Sequence, residues 1–327
     1  MMGRFLKKTV VFCLLVILAC VGLELLLLTR PNVYSYKREF MERHHDEISI
    51  LLMGNSHIEE ALIPELLGDS VFNFAISGKD WACDVELAQR YLPMMHHLRI
   101  VVMPFSYEYF EFGRSTDAKR GQSPLSKRRE DTYKCMETKY LRVKQYGWRY
   151  WSELLYSSEN YMKRLRSDQG AIDFCDSLGY VKMDAQGRPH FWQWQRLPRV
   201  FDPSIERDEK AFERFVNGHE CLAKLCLDQG ARLILVSPPV YKTYQYFLDG
   251  TVLGEMRAMA DSLDQLYHNV DYYDFFFAEG FEDDDFYDAG HLSGTGAIKF
   301  SKMLADTISL HFSFGNPEKS SYLCTDF

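Results

Sequence analysis

The chain has 327 residues, of which 46% are hydrophobic and 15% are aromatic. This length and composition exclude an intrinsically disordered protein and suffice for one large α/β core or two modest ones. The formal net charge of −8 disfavours nucleic acid as a partner, because proteins that bind nucleic acid present a basic surface.

The amino-terminal segment is strongly apolar and differs from the rest of the chain. Three cationic residues precede an apolar run from 9 to 28, which only one glycine and one glutamate interrupt. At about 1.5 Å per residue, a helix of this length covers about 30 Å, enough to cross a bilayer. We therefore predict a membrane anchor over residues 1–30. Cationic residues before the helix favour a cytoplasmic amino terminus, so the body from 31 to 327 is predicted to lie on the periplasmic or extracellular face.

Two other interpretations of this segment stay open. A cleaved signal peptide also begins with cationic residues, but its apolar core is usually about 7 to 15 residues long, and no small-x-small site closes this run. The sequence Ile17-Leu-Ala-Cys20 faintly resembles a bacterial lipoprotein processing site, although the apolar run continues beyond the cysteine. Arg30, Lys37 and Arg38 on the far side weaken the charge asymmetry that sets the orientation.

Strand-like and helix-like segments alternate from about residue 48. The predicted strands cover 48–53, 71–76, 99–105, 232–237 and 270–275. The predicted helices cover 58–67, broken by Pro64, and 81–96, 208–229, 253–266 and 294–310. Alternation of this kind implies an α/β protein with a doubly wound, mainly parallel sheet and helices on both faces.

A helical insertion at about 113–200 interrupts the alternation. It contains 18 Lys and Arg against 10 Asp and Glu, so it is basic within an acidic chain, and it is rich in aromatic residues. Its aromatic side chains could form the small core of a helical subdomain. Alternatively, they form a substrate platform on which sugars stack and cations hold an anionic glycan or lipid head group. The candidate platform residues are Trp148, Trp151, Trp192 and Trp194.

The cysteines and histidines match no metal-site spacing, so we predict neither a metal nor a cofactor. Cys13 and Cys20 lie in the apolar amino-terminal run. An exported body permits disulfides, yet most of the remaining cysteines are predicted to be buried thiols. His57, His96 and His97 are predicted to lie at the surface or at helix ends, with no assigned role.

A candidate nucleophile follows the first predicted strand. Ser56 lies in Gly54-Asn-Ser-His57, where a hydroxyl can project from the carboxyl edge of a sheet. Serine is a poor nucleophile unless a histidine removes its proton, and that histidine works best when a carboxylate holds its tautomer. Far downstream, Asp288 stands three residues before His291. The three residues together predict a catalytic triad.

Each of these residues also has a structural explanation. Ser56 could be the N-cap of the helix that follows it. Asp288 comes shortly after the acidic run 282–285, and such runs are usually solvated loops. His291 could be a structural histidine. Asn55 is predicted to order the turn before Ser56.

This arrangement resembles the SGNH, or GDSL-like, hydrolase superfamily. As in that family, the serine follows the first strand of the domain, and the aspartate and histidine share one loop near the carboxyl end. The first block of the family is matched by Gly54-Asn55-Ser56-His57 and the last by Asp288-Ala-Gly-His291. The resemblance implies a flavodoxin-like sheet and a serine esterase or acyltransferase.

The same resemblance implies an oxyanion hole. Phe72-Asn-Phe-Ala-Ile-Ser-Gly78 is similar to the second block, which assigns a backbone N–H donor to Gly78, and Ser56 adds its own N–H. The third block, Gly-x-Asn-Asp, has no match, because the corresponding strand continues as Pro104-Phe-Ser-Tyr107. Ser106 could stand in for the asparagine by position, or the hole has two donors only.

The amino-terminal anchor, the turn Ser237-Pro-Pro239 and the segment Asp285-Phe-Tyr-Asp-Ala-Gly-His-Leu292 are similar to those of membrane-anchored SGNH proteins of bacterial envelopes. That group includes O-acyl transfer proteins of surface polysaccharides and teichoic acids. The resemblance covers about 45–112 and 205–312. It implies action on acyl, foremost acetyl, esters of a cell-envelope glycan through an acyl-serine, with a multi-spanning membrane O-acyltransferase as partner. The alternatives are a non-catalytic SGNH-fold module for glycan binding or assembly, and an exported lipase or phospholipase.

Overall fold

The structure, a computed structural model, describes residues 2–28, 33–79, 81–114, 175–194 and 207–312. Most of the predicted insertion, including Trp148 and Trp151, lies outside the described residues.

Five parallel strands form one sheet, in the order β2-β1-β3-β4-β5. The strands are β1 (Ile50–Leu52), β2 (Val71–Asn73), β3 (Ile100–Pro104), β4 (Arg232–Ser237) and β5 (Val270–Asp274). All residues of β3, and all of β4 after its first, are buried. Burial on both faces explains why the central strands are continuous apolar runs, and the prediction of a mixed α/β protein with a parallel sheet is confirmed.

Eight helices surround or precede this sheet in the described part of the chain. They are α1 (Met2–Leu28), α2 (Val33–His44), α3 (Ser56–Glu59), α4 (Trp81–Tyr91), α5 (Tyr107–Arg114), α6 (Glu209–Asp228), α7 (Gly250–Leu266) and α8 (Gly294–Phe312). Helix α6 packs against α4 and α5, and α7 packs against β5 and α5.

Two predicted helices are shorter than the sequence pattern indicated, and proline accounts for both differences. The segment predicted as a helix over 58–67 is helical only to Glu59, because Pro64 follows an extended Ile63 and begins a separate 3-10 turn. Helix α4 ends at Tyr91, two residues before Pro93, and the chain continues as a 3-10 turn. Proline lacks the N–H that would continue an α-helix.

Helices α2 and α5 were not predicted. Helix α2 is mainly polar, and its contact with the core includes Lys37 and Met41, which are both fully buried. Helix α5 begins inside the segment where the strand–helix alternation stops, yet it buries Tyr107, Tyr109 and Phe110.

Helix α1 is long and apolar enough to span a membrane. Its segment Gly3–Leu26 has a mean hydropathy of 2.7, and none of it is buried against the described part of the protein. These properties suit a membrane anchor and a signal sequence equally.

The described cysteines of the body divide into two groups. Cys175, Cys221 and Cys226 are buried free thiols, as predicted, and burial raises the pKa of Cys175 to about 11. Cys83 is different, since it is disulfide-bonded. The expectation that most cysteines are buried thiols therefore does not extend to Cys83.

Candidate active site

The candidate site lies at the carboxyl edge of the sheet. In the sheet, β1 lies next to β3, and the chain continues from β1 to β2 on one side and from β3 to β4 on the other. Where the connections diverge in this way, a crevice opens at the carboxyl ends of the two adjacent strands. Ser56, Gly78 and Ser106 follow β1, β2 and β3 respectively. The loop that carries Asp288 and His291 lies between β5 and α8.

Ser56, His291 and Asp288 form a continuous chain of hydrogen bonds. The Oγ atom of Ser56 lies 2.9 Å from Nε2 of His291, and Nδ1 of His291 lies 2.8 Å from Oδ1 of Asp288. The same Oδ1 accepts the backbone N–H groups of Gly290 and His291, each at 2.9 Å. The three-residue offset thus forms a tight turn in which the carboxylate both orders its own loop and orients the imidazole. A serine next to a histidine that a carboxylate holds is the arrangement that nucleophilic activation of a serine requires.

The turn before Ser56 depends on a glycine and an asparagine. Gly54 has φ +115°, and a Cβ atom at this position would collide with the ring of Pro104, so no other residue fits. Asn55 is the N-cap of α3, and its Oδ1 accepts the N–H of His57 at 3.1 Å. The prediction that Asn55 orders the turn is confirmed. Because Asn55 caps the helix, Ser56 is not the N-cap and its hydroxyl points to His291 instead.

A buried ion pair supports the nucleophile turn. Lys79 Nζ lies 2.7 Å from Asp84 Oδ1, and both side chains are fully buried. The same carboxylate oxygen accepts the backbone N–H of Gly54 at 3.0 Å. Burial lowers the pKa of Lys79, and the charge of Asp84 opposes that shift. A carboxylate with these two partners fixes the residue two positions before the nucleophile.

A second buried ion pair supports the loop that carries Gly78. Lys37 Nζ lies 2.8 Å from Glu59 Oε1, and Glu59 Oε2 accepts both the N–H and the hydroxyl of Ser77, each at 2.6 Å. The loop is joined to the nucleophile turn by a hydrogen bond from the N–H of Ile76 to the carbonyl of Gly54 at 3.0 Å. Gly78 has φ +69° and directly follows the residue that Glu59 holds.

Ser106, the third candidate oxyanion residue, is buried at the start of α5. Its Oγ accepts the N–H of Tyr109 at 3.4 Å and its carbonyl accepts the N–H of Phe110 at 2.9 Å. Ser106 therefore caps this helix.

His57, predicted to lie at the surface or at a helix end, is the second residue of α3 and is buried. The side chain is 2% exposed, its ring stacks on that of His291 with centroids 5.0 Å apart, and its Nε2 lies 3.1 Å from Oε2 of Glu108. His96 and His97 are exposed, as predicted, and both lie beside Asp46. Sequence reasoning missed Glu108 because nothing in its local pattern indicates a contact with a residue 51 positions earlier.

The two described tryptophans of the predicted platform lie on a 3-10 turn near the loop that carries Asp288 and His291, the acid–base loop. Trp192 packs on the ring of Tyr241 at 4.7 Å, and the guanidinium of Arg188 lies 4.7 Å from the Trp192 ring. The N–H of Tyr241 donates to the carbonyl of Ala289, directly after Asp288, at 2.9 Å. This aromatic cluster is therefore attached to the loop that carries the candidate base.

Trp194 extends the cluster outward. It stacks on Tyr246 at 6.0 Å with an interplanar angle of 19°, and the two residues are 48% and 70% exposed. Tyr241 also lines a groove of about 180 Å³. The residues that line this groove include Tyr241, Lys242, Phe277, Phe281, Asp283 and Phe286.

No family model and no curated protein matches this chain. Among solved structures, it is similar to one described as "a putative platelet activating factor from Streptococcus pneumonia", with 13% sequence identity over 91% of this chain and 99% of that chain. The TM-score is 0.39, which is too low to establish a shared fold.

Proposed function

We propose that this protein is a serine esterase or O-acyltransferase that acts on acyl, foremost acetyl, esters of a cell-envelope glycan. The observation that carries the proposal is the hydrogen-bonded chain from Ser56 Oγ through His291 to Asp288, at 2.9 and 2.8 Å. Nucleophile, base and orienting carboxylate in this order are what acyl transfer through an acyl-serine needs.

Membership of the SGNH hydrolase superfamily, with its flavodoxin-like sheet, belongs to this proposal. The strand order β2-β1-β3-β4-β5 supports it, as does a serine placed directly after β1. The placement of Asp288 and His291 on one loop before the last helix supports it further.

The reaction begins with proton transfer from Ser56 to Nε2 of His291, while Asp288 stabilises the imidazolium that forms. The serine oxygen attacks the ester carbonyl, and the N–H groups of Gly78 and Ser56 receive the negative charge on the carbonyl oxygen. The tetrahedral intermediate then collapses. The alkoxide leaves with the proton that His291 returns, and the acyl group stays on Ser56. Water or a sugar hydroxyl next attacks the acyl-serine and loses its proton to His291. As the second tetrahedral intermediate collapses, His291 returns this proton to the Ser56 oxygen and the acyl product leaves.

The aromatic cluster supports a glycan as the substrate class. Trp194 and Tyr246 are exposed and offer stacking faces, and Arg188, which is paired with Asp284, lies over the neighbouring ring of Trp192. Aromatic rings bind the apolar faces of sugars while neighbouring charges bind polar substituents. Trp148 and Trp151, the other predicted platform residues, lie outside the described residues.

The membrane anchor and the exported body are part of the same proposal. Helix α1 has the length and hydropathy of a membrane span. The disulfide of Cys83 suits an exported body, because disulfides persist in oxidising compartments. A protein held at the membrane in this way could receive acyl groups from a multi-spanning membrane O-acyltransferase.

A non-catalytic role in glycan binding or assembly is the second candidate function. It is favoured by Ser106, which stands where the family has its third-block asparagine and caps α5 through Oγ.

Hydrolysis of p-nitrophenyl acetate by the full-length chain in detergent separates the two functions. We expect turnover in the native protein and its loss in Ser56→Ala and in His291→Ala, with unchanged circular dichroism spectra. Turnover that persists in either folded variant rules out the acyl-serine mechanism, and a native protein without turnover favours the binding role.

A further inference from the structure

A second histidine–carboxylate pair lies beside the candidate triad, and the mechanism above does not use it. We propose that His57, held by Glu108, is a positioning residue that fixes the ring of His291 and favours its protonated form during acylation. This inference rests on the proposed function. His57 directly follows the nucleophile in α3, whereas Glu108 lies in the first turn of α5.

The ring of His57 contacts the acid–base loop over two of its residues. It stacks on His291 with centroids 5.0 Å apart and an interplanar angle of 21°. A Cβ atom added to Gly290 would lie 3.8 Å from Cε1 of His57, so the ring also covers the backbone beside His291. A flat, buried ring in this position limits rotation of the His291 side chain.

The polar contacts of His57 orient its ring. Nε2 lies 3.1 Å from Glu108 Oε2, while Nδ1 is buried and has no hydrogen-bond partner among the described residues. A neutral imidazole that donates from Nε2 to a carboxylate leaves Nδ1 as an acceptor without a proton. Glu108 thereby selects one tautomer and one ring orientation, in the same way as Asp288 does for His291.

The pair also places favourable charge near the proton acceptor. When His291 takes the proton of Ser56, the π-face of His57 lies against the new imidazolium, and the carboxylate of Glu108 is hydrogen-bonded to Nε2 of His57. Both attractions strengthen only when charge develops on His291, so they lower the barrier rather than tighten ground-state binding.

The other groups around the pair do not supply this charge in its place. Asp288 faces His291 from the opposite ring nitrogen, Nδ1. Tyr244 also lies near Glu108 and Asp288, and burial raises its pKa well above the usual value, so it stays neutral at working pH. Among the described contacts, Glu108 is therefore the anionic group that reaches His291 through His57.

Three variants separate ring packing from charge. His57→Phe keeps a flat ring against His291 and removes the link to Glu108. His57→Gln keeps an amide donor for Glu108 and removes the ring. Glu108→Gln keeps the hydrogen bond and removes the charge, and it perturbs folding least because the Glu108 side chain is 22% exposed.

The experiment measures the rate at which a fluorophosphonate labels Ser56, together with kcat and KM for p-nitrophenyl acetate, on the full-length chain in detergent. We expect His57→Phe and Glu108→Gln each to lower the labelling rate and kcat by about 10-fold with KM unchanged, as loss of a partner that orients a functional histidine does. The double variant should lose no more than His57→Phe alone, because the two residues act as one unit. His57→Gln should also be slow, because the stacked ring is lost.

A pH profile distinguishes positioning from a structural role. Loss of the Glu108 carboxylate makes protonation of His291 less favourable, so the acidic limb of kcat/KM should move to lower pH in Glu108→Gln. Labelling rates and kcat within twofold of the native values in folded Glu108→Gln contradict the inference, even if His57→Phe does not fold. Ser56→Ala is run in parallel, because turnover that survives in that variant overturns the proposed function itself.

Discussion

The two halves of the candidate site are held in place by different means. On the nucleophile side, two buried ion pairs support the turn and the loop: Lys37 with Glu59, and Lys79 with Asp84, whose carboxylate also accepts the N–H of Gly54. On the acid–base side, the loop is ordered by contacts within itself, such as the N–H groups of Gly290 and His291 on Asp288. Substitutions that break these ion pairs should therefore reduce stability, whereas Asp288→Asn should reduce activity alone.

The acid–base loop gives the largest expected effect. In Asp288→Asn the side-chain carbonyl can still accept the two backbone N–H groups, so the loop keeps its form. The amide no longer stabilises the imidazolium, and kcat for p-nitrophenyl acetate should fall by about 10⁴-fold. Thermal unfolding should stay near that of the native protein. A variant that retains more than a tenth of the native kcat would falsify the role of Asp288.

The nucleophile side should respond to Lys79→Met by losing stability. The substitution leaves the carboxylate of Asp84 buried without its counter-charge, which costs about 3–5 kcal/mol of the free energy of unfolding. Urea denaturation measures this loss. The matched control, Lys79→Met with Asp84→Asn, removes the charge yet keeps an acceptor for Gly54, and it should recover much of the stability. A loss below about 1 kcal/mol in the single variant would contradict the role of this pair.

His219, a buried histidine of α6, should make the stability of the protein depend on pH. Burial lowers the pKa of His219 from 6.5 to about 4. Between pH 6.5 and about 4, His219 therefore binds a proton in the unfolded chain but not in the folded chain. The free energy of unfolding consequently falls as the pH falls through this interval. The loss amounts to about 3 kcal/mol.

His219→Leu should remove this part of the acid sensitivity, whereas the exposed His96→Gln should leave it unchanged. The measurement is the free energy of unfolding at several pH values between 4 and 6.5. The same slope in His219→Leu and in the native protein would show that His219 is not its source.

A surface ion pair provides the smallest expected effect and a reference for Lys79. Arg90 lies 3.4 Å from Glu42, and both side chains are about half exposed. Solvent screens such a pair, so Arg90→Gln should change the free energy of unfolding by less than about 0.5 kcal/mol. A change comparable to that in Lys79→Met would mean that burial does not separate the two pairs.

The same contrast explains how much of the molecule could be predicted from its sequence. Asp288 and His291 lie three residues apart and Ser56 ends a strand-like run, so local patterns indicate all three. The strands were predicted because their apolar runs are continuous. The break at Pro64 was predicted, whereas the end of α4 before Pro93 was not, although that proline is visible in the sequence.

The long-range contacts could not be predicted. Lys37 and Glu59 are 22 residues apart, and His57 and Glu108 are 51 apart. A single polar residue in a segment of both polar and apolar residues is predicted to be solvent-exposed unless its buried partner is known. For this reason His57 was given no role, and Lys37 was counted only as a positive charge beyond the anchor.

The central claim is that Ser56 is an activated nucleophile. The most direct test is intact-mass analysis of the full-length chain in detergent after exposure to a fluorophosphonate, followed by peptide mapping. We predict a single adduct on Ser56 that is absent in His291→Ala and in Asp288→Asn at matched exposure times. A folded native protein that forms no adduct, or an adduct whose rate is the same in His291→Ala, would contradict the account.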